Sequence, residues 1–317
     1  MTLGYVLRRI IVSVPTVLLV VLMVFVAIHL VPGTAVDMML GTQNYLTEDQ
    51  IRQLYHQYGL DKPLVVQYFA WLKNTLSFNF GVSLRTGKPV LQLILSRLPV
   101  TLELAALSMA IALTLGIVLG VVSAVKRNGF IDDIIKVFSL IGISSPAFWI
   151  GSIFIVLFSG LFRGFNIFGY VPIDRDLLKN LQSMLLPSLT LGLMICAQIV
   201  RVTRASMLDV LRQEYIKTAM AKGVSRTVLI FKHALKNALI PVVTVSGIQL
   251  GYLIGGTIVI ENLFALPGLG RLLLQAVNER DYPVVQSIVL FVAIMIVALN
   301  ILIDFVYTLL DPRVELK

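Results

Sequence analysis

The sequence predicts an all-α integral membrane protein of about six transmembrane helices, and three observations predict it. First, 57% of the 317 residues are hydrophobic and 14% are charged, against about 25% charged in a soluble domain. The mean hydropathy is +0.90. That much apolar surface exceeds what one soluble core buries, and a bilayer is the solvent that accepts the surplus. Second, the apolar residues fall into six runs of membrane length. Third, those runs lack strict alternation and are too long for barrel strands of about 9–11 residues.

The first run, Ile10–Val31, follows Arg8 and Arg9. It is longer than the roughly 7–15 residues of a signal-peptide apolar region, and no small-residue cleavage motif closes it, so it reads as a retained helix. The second run, Leu98–Val125, is entered through Pro99 and left at Lys126-Arg127. The third is Ile134–Leu161. The fourth, Leu185–Val200, is short and starts near Pro187. The fifth, Leu239–Ile260, begins just before Pro241. The sixth, Val284–Leu310, is closed by Asp311-Pro312. At 1.5 Å per residue each reaches across about 30 Å of hydrocarbon, the fourth only with its flanks.

Charge sets the orientation. With the N-terminus cytoplasmic, 15 of the 26 cations fall inside, among them Arg8, Arg9, Lys126, Arg127, Arg201, Arg204, Lys222, Arg226, Lys232 and Lys236. Nearly all of the +9 net charge then lies on one side. The loops after the second and fourth helices satisfy the positive-inside rule. The long segment 32–97 falls outside; its six cations carry little weight because long segments translocate regardless of charge. Within it, Thr47–Gly59 reads as a short helix, with Thr47 as N-cap, Gln50 three residues on and Gly59 as the stop. Ile51, Leu54, Tyr55 and Tyr58 share its apolar face. That face packs on the membrane surface or receives a solute-delivering partner.

Catalytic chemistry is absent from the sequence. There is no phosphate-binding G-x-x-x-x-G-K-[ST], no H-E-x-x-H and no G-x-S-x-G. The single cysteine, Cys196, excludes an internal disulfide, and His29, His56 and His233 match no zinc spacing. Glu103 near the outer end of the second helix and Asp304 in the inner third of the sixth are the intramembrane charges; each reaches interfacial water or a neighbour. No paired interrupted helices or buried ion relay of a gradient-driven carrier stand out, which argues for an energy source outside the chain, with that carrier kept as the alternative. Gly247, Gly251 and Gly255, spaced by four, let helix backbones approach within the chain, at a pore, or at a partner. Gly116 and Gly120 form a shorter stripe.

The stretch Glu214–Pro241 is the most informative. Gly223 breaks it, Ser225 caps a second piece, and Val228, Phe231 and Leu235 share a face among Lys222, Arg226, Lys232 and Lys236. A basic amphipathic helix–turn–helix of this kind lies on anionic lipid or inserts into a groove of a cytoplasmic partner; composition alone favours lipid.

This stretch resembles the cytoplasmic E-A-A loop of ABC importer permeases. Ala219, Gly223 and Leu235 match that pattern, while Lys217, His233 and Lys236 replace its acidic, isoleucine and proline positions. The departures resemble those of the dipeptide/oligopeptide/nickel branch, Y-x-x-T-A-x-A-K-G…H-A-x-x-N-A-x-x-P. Tyr215, Thr218, Ala219, Ala221, Lys222, Gly223, His233, Ala234, Asn237, Ala238 and Pro241 all fit it. Pro32-Gly33, Gly81-x-Ser83, Arg97-Leu98-Pro99-x-Thr101-Leu102-Glu103 and Ser144-x-Pro146-x-Phe148-Trp149 are similar to the B-type subunit of that branch. So are Glu261-x-x-Phe264-x-x-Pro267-Gly268-Leu269-Gly270, Asp281-Tyr282-Pro283 and Leu310-Asp311-Pro312-Arg313.

The resemblance implies a type I ABC importer permease fold in a bacterial inner membrane, with both termini cytoplasmic. Residues 1–31 hold the first helix, 32–97 an extracytoplasmic loop, and 98–317 a core of five helices with a coupling loop at 201–238. Tyr215, Thr218, Ala219, Ala221, Lys222, Gly223, Arg226 and His233 would couple to a separate ATPase. Gly247, Gly251 and Gly255 would line a packing or pore interface, and Glu261, Pro267, Gly268, Gly270 and Asp281 mark the outer loop. Leu269–Val277 is expected as a short surface helix after the Pro267-Gly268 turn, serving packing, an outer gate or binding-protein docking. The implied partners are a homologous permease, one or two ATPases carrying ATP and magnesium, a solute-binding protein and membrane lipid. The chain itself would hold no cofactor and no metal, hydrolyse nothing and bind no nucleic acid. The solutes carried by such relatives include dipeptides, longer peptides, glutathione and nickel chelates.

Overall fold

The computed structural model describes residues 3–30, 33, 36–37, 47–57, 59–161 and 166–310. The expectations at Pro32, Tyr58 and Asp311-Pro312-Arg313 lie outside these residues. The helices in chain order are α1 (Leu3–Leu30), α2 (Glu48–Gln57), α3 (Leu64–Leu76), α4 (Val90–Val125), α5 (Phe130–Ser144), α6 (Ala147–Leu161) and α7 (Leu177–Leu211). Then come α8 (Glu214–Ala221), α9 (Arg226–Val228), a π-helical segment Leu229–Ala234, α10 (Leu235–Gly256), α11 (Ile258–Leu263), α12 (Leu269–Asn278) and α13 (Tyr282–Leu310). The extended pairing among the described residues is a single bridge between Val82 and Pro89.

Five helical runs are long and apolar enough to cross a membrane: Leu7–Leu30, Val90–Val125, Leu177–Leu211, Arg226–Gly255 and Tyr282–Val306. A sixth crossing is available only as a broken pair, α5 and α6, bent by 107°. This corrects the expectation of one continuous third segment. The break sits at Ser145-Pro146. Ser145 is extended at φ −87°, ψ 134°, a conformation that a following proline favours.

Three other prolines were read as helix boundaries and are not. Pro99, Pro187 and Pro241 lie inside α4, α7 and α10. The second membrane helix therefore starts at Val90, the fourth runs for 35 residues, and the fifth continues back through the π segment to Arg226. In a bilayer, breaking a helix strands backbone groups with no water to satisfy them, so neighbouring helices hold a proline-containing run together. The fifth helix stops at Gly256 rather than Ile260, and α11 follows after Thr257.

The core is built on α4 against α7. A Cβ on Gly116 would lie 2.6 Å from Ile199, and one on Gly120 2.5 Å from Thr203. The glycine stripe of the second helix thus serves close packing within the chain. Leu104, Met184, Ile199 and Phe264 are fully buried around this seam. α13 packs on α10 and α4, and α1 packs on α13, joined by Arg9 to Asp304 at 3.0 Å, so the intramembrane Asp304 meets a neighbour. Their outer residues, Ile11, Leu19, Ile294 and Leu302 among them, stay exposed. In α2 the expected capping box is formed: the Thr47 N–H donates to Gln50 Oε1 at 2.9 Å, and the Gln50 N–H reaches Thr47 Oγ1 at 3.4 Å. Gly59 ends the turn at φ +66°, with Ile51, Leu54 and Tyr55 half-buried.

Candidate functional site

The stretch that follows α7 is held by local chemistry. α8 ends in a turn closed by Gly223 N–H to the Met220 carbonyl at 3.0 Å and Val224 N–H to the Ala219 carbonyl at 3.2 Å. These are the two bonds of a Schellman cap, and they put Gly223 at φ +79°, a conformation that glycine adopts without penalty. Ala219 and Val224 then pack on one cluster with Met207, Ile216, Leu229 and Ala238.

Beyond the turn the chain does not form a separate surface helix. Ser225 occupies the cap position without a side-chain bond, and α9 runs through the π segment directly into α10. Two residues of the expected apolar face stay open, while the π segment turns other side chains inward. Leu229, Ile230 and Ala234 are buried, whereas Val228 and Phe231 are exposed. Tyr215 and Asn237 tie the two arms together, Asn237 Nδ2 donating to the Tyr215 hydroxyl at 2.7 Å beside the His233 carbonyl. Thr218 turns its hydroxyl onto the Glu214 carbonyl at 3.0 Å. Ala221, Lys222, Gly223, Arg226, Lys232 and Lys236 are exposed, with Tyr215, Met220, Val228 and Phe231 presenting apolar surface between the cations.

The outer-loop residues meet at the opposite end of the bundle. Glu261 is fully buried. Its carboxylate accepts from Thr101 Oγ1 and Thr257 Oγ1, each at 2.8 Å, and from the Arg271 N–H at 2.9 Å. Thr101 in turn accepts from the Leu269 N–H, so α4, α11 and α12 share one network. A Cβ on Gly268 would fall 2.3 Å from the Glu261 carboxylate, and one on Gly270 2.8 Å from the Ile258 backbone. Pro267 directly precedes that turn, and α12 is the expected short helix. Gly268→Ala is therefore expected to destabilise the protein by about 1–3 kcal/mol through overpacking, read as a lowered melting temperature in detergent.

Asp281 closes a second lock. It accepts from the Ser83 hydroxyl at 2.5 Å and the Leu84 N–H at 3.1 Å, joining the Gly81-x-Ser83 loop to the start of α13. Glu103 is held by the Tyr170 hydroxyl at 2.8 Å. Burial, with the Glu103 carboxylate beside it, pushes the Tyr170 phenol well above its ordinary range, so it remains a donor.

Two features escaped the sequence reading. Asp132, at 0% exposure, receives Arg204 in a two-point contact, Nε and Nη2 each at 2.8 Å. Ser123 Oγ at 2.5 Å, the Asn128 N–H at 3.0 Å and Lys136 Nζ at 2.9 Å complete its shell. The available signal was a charge in the first turn of an otherwise apolar helix. In α10, Gln249 donates to Gln198 of α7. The Gly247 stripe divides: a Cβ there would strike Ile303 at 2.4 Å, while Gly251 and Gly255 face open space. The structure brings Gly247 to α13 and leaves the other two free for a contact outside the chain.

Comparison with known proteins places this architecture. The family model for the binding-protein-dependent transport system inner membrane component matches residues 116–316, and the corresponding N-terminal model matches residues 2–105. The "Probable peptide ABC transporter permease protein" of Sinorhizobium fredii is 39% identical, covering 98% of this chain and 99% of that one. The glutathione transport system permease protein of Pectobacterium atrosepticum is 40% identical over 99% of this chain and 100% of its own length. A chain of the inward-facing MetNI methionine ABC transporter superposes with a TM-score of 0.55 at 19% identity, covering 70% of this chain and 98% of that chain. It shares the type I importer permease fold. Full-length matches at this identity are decisive: the chain belongs to the binding-protein-dependent transport system inner membrane components, as a non-enzymatic, multi-pass permease subunit of the dipeptide/oligopeptide/nickel branch of ABC importers.

Proposed function

We propose that this chain forms half of the membrane path of an ATP-driven importer for peptides or close peptide analogues. The 214–238 stretch would be the docking element for a cytoplasmic ATPase. The observation that carries this reading is mechanical: only Val224-Ser225 separate the Gly223 turn from the continuous membrane run Arg226–Gly255. A push on an ATPase-bound turn then moves a membrane helix as one body, which supports alternating access. Its exposed mixture of Phe231, Val228, Tyr215 and Met220 with Lys222, Arg226, Lys232 and Lys236 suits a groove with an apolar floor and an acidic rim. This reading puts both termini and the 214–238 stretch in the cytoplasm. Gly251 and Gly255 would face the homologous permease or the path, and the Glu261 and Asp281 locks would hold the surface offered to a solute-binding protein.

The test is gentle detergent extraction of the tagged chain, with mass spectrometry of what co-purifies. A homologous permease and one or two P-loop ATPases are expected, with labelled dipeptide uptake by the reconstituted set. Recovery of the chain alone, with uptake driven by an ion gradient, would overturn the reading.

A further inference from the structure

Between α5 and α7, at the end of the bundle that carries the 214–238 stretch, lies a cavity of about 260 Å³ bordered by Lys136, Arg201, Arg204, Leu140, Ile143 and Val200. Two of its cations are partly committed. Arg204 spends Nε and Nη2 on Asp132, and Lys136 spends two of its three donors on Asp132 and Asp133. Arg201 is exposed and makes no hydrogen bond or ion pair among the described residues. The local balance is three cations against the two carboxylates, which leaves one positive charge. The donors left over are the whole Arg201 guanidinium, Arg204 Nη1 and one Lys136 N–H, and they suit an oxyanion with several acceptor atoms.

The other wall is apolar. Leu140 is 67% exposed, and Val137 and Ile141 on the same helix are also open. An unpaired guanidinium at the edge of a membrane helix bundle is stable where its head reaches interfacial charge. Basic pockets between membrane helices at that level take lipid headgroups. We infer that this cavity is a binding site for one monoanionic phospholipid. Its phosphodiester sits among Arg201, Arg204 and Lys136 and cancels the remaining charge, and an acyl chain runs along Leu140 and Ile143. A free inorganic phosphate satisfies the cations and leaves the apolar wall bare. The bound lipid ties α5 to α7 beside the Asp132–Arg204 pair.

The test uses the full chain with whatever co-purifies, stripped of lipid in mild detergent and followed by native mass spectrometry. Phosphatidylglycerol, phosphatidylcholine and inorganic phosphate are added in separate arms. Retention of phosphatidylglycerol over phosphatidylcholine is expected. Arg201→Gln should lower that retention about tenfold, the loss of one charge-assisted contact, while Arg201→Lys stays within about threefold. Arg201 lies outside the Asp132 shell, so the melting temperature of the stripped protein should not move. Equal retention by Arg201→Gln, equal retention of phosphatidylcholine, or inorganic phosphate displacing the lipid completely at matched concentration would each overturn the site. So would a cross-link showing a partner's carboxylate seated on Arg201. Because the readout is lipid mass rather than uptake, it stands or falls separately from the importer reading.

Discussion

Asp132→Ala is expected to destabilise the protein by about 3–5 kcal/mol, because it leaves Arg204 as an uncompensated charge against buried neighbours. The carboxylate is 0% exposed and the Arg204 side chain 22%, so water replaces the lost partner only in part. The same deletion strands the buried Ser123 hydroxyl, a further polar group without a partner. Thermal unfolding in detergent, followed by loss of helical signal, checks the size. The double variant Asp132→Ala/Arg204→Ala should be less destabilised than the single one, since removing both charges avoids the orphan. A double variant as unstable as the sum of the two singles would show that the pair does not act as a unit.

Gly223→Pro is expected to abolish coupled uptake, with a loss above about tenfold, while the membrane helices stay folded. Proline fixes φ near −65° and has no N–H. The position needs φ +79° and uses its N–H on Met220. The turn between α8 and α9 must then reopen, moving the apolar and cationic groups it presents. The change is confined to exposed backbone, so stability should fall far less than in Asp132→Ala. In reconstituted vesicles with the ATPase present, hydrolysis should continue without solute-stimulated uptake. Reversing Lys222 and Arg226 to glutamate should produce the same split through charge instead of geometry. Normal uptake in both variants would sink the docking role.

Composition and the motif spacing were enough to read the class, five of the membrane-length runs and the family. Hydrophobic length is a one-dimensional property, and the bilayer enforces it directly. The helix ends were less legible. Pro99, Pro187 and Pro241 look like boundaries by soluble-protein logic and lie inside helices, because lipid penalises an open backbone more than a strained one. Pro146, the one proline that does break a segment, differs in having its preceding residue extended, which no local pattern announces. The residues that 226–238 buries within the chain, Leu229, Ile230 and Ala234, went unread because they lie in a π segment, whose register composition does not encode. The outer-loop residues were found as a pattern, and their reason emerged only in three dimensions: Gly268 is small because Glu261 lies over it. Asp132 and Arg204 are 72 positions apart, and nothing in one sequence pairs them.

The bend at Ser145-Pro146 bears on how the chain is made. α5 and α6 have 15 residues each, a rise of about 22 Å apiece, short of the roughly 30 Å hydrocarbon layer. Neither half is self-sufficient as a stop-transfer segment during synthesis. Both pack on α7, which the ribosome delivers later. The packing partner of the pair is therefore available only once Leu177–Leu211 has emerged. A chain truncated before Leu177 is accordingly expected to leave α5 and α6 extractable from the membrane, and one ending after Leu211 to hold them.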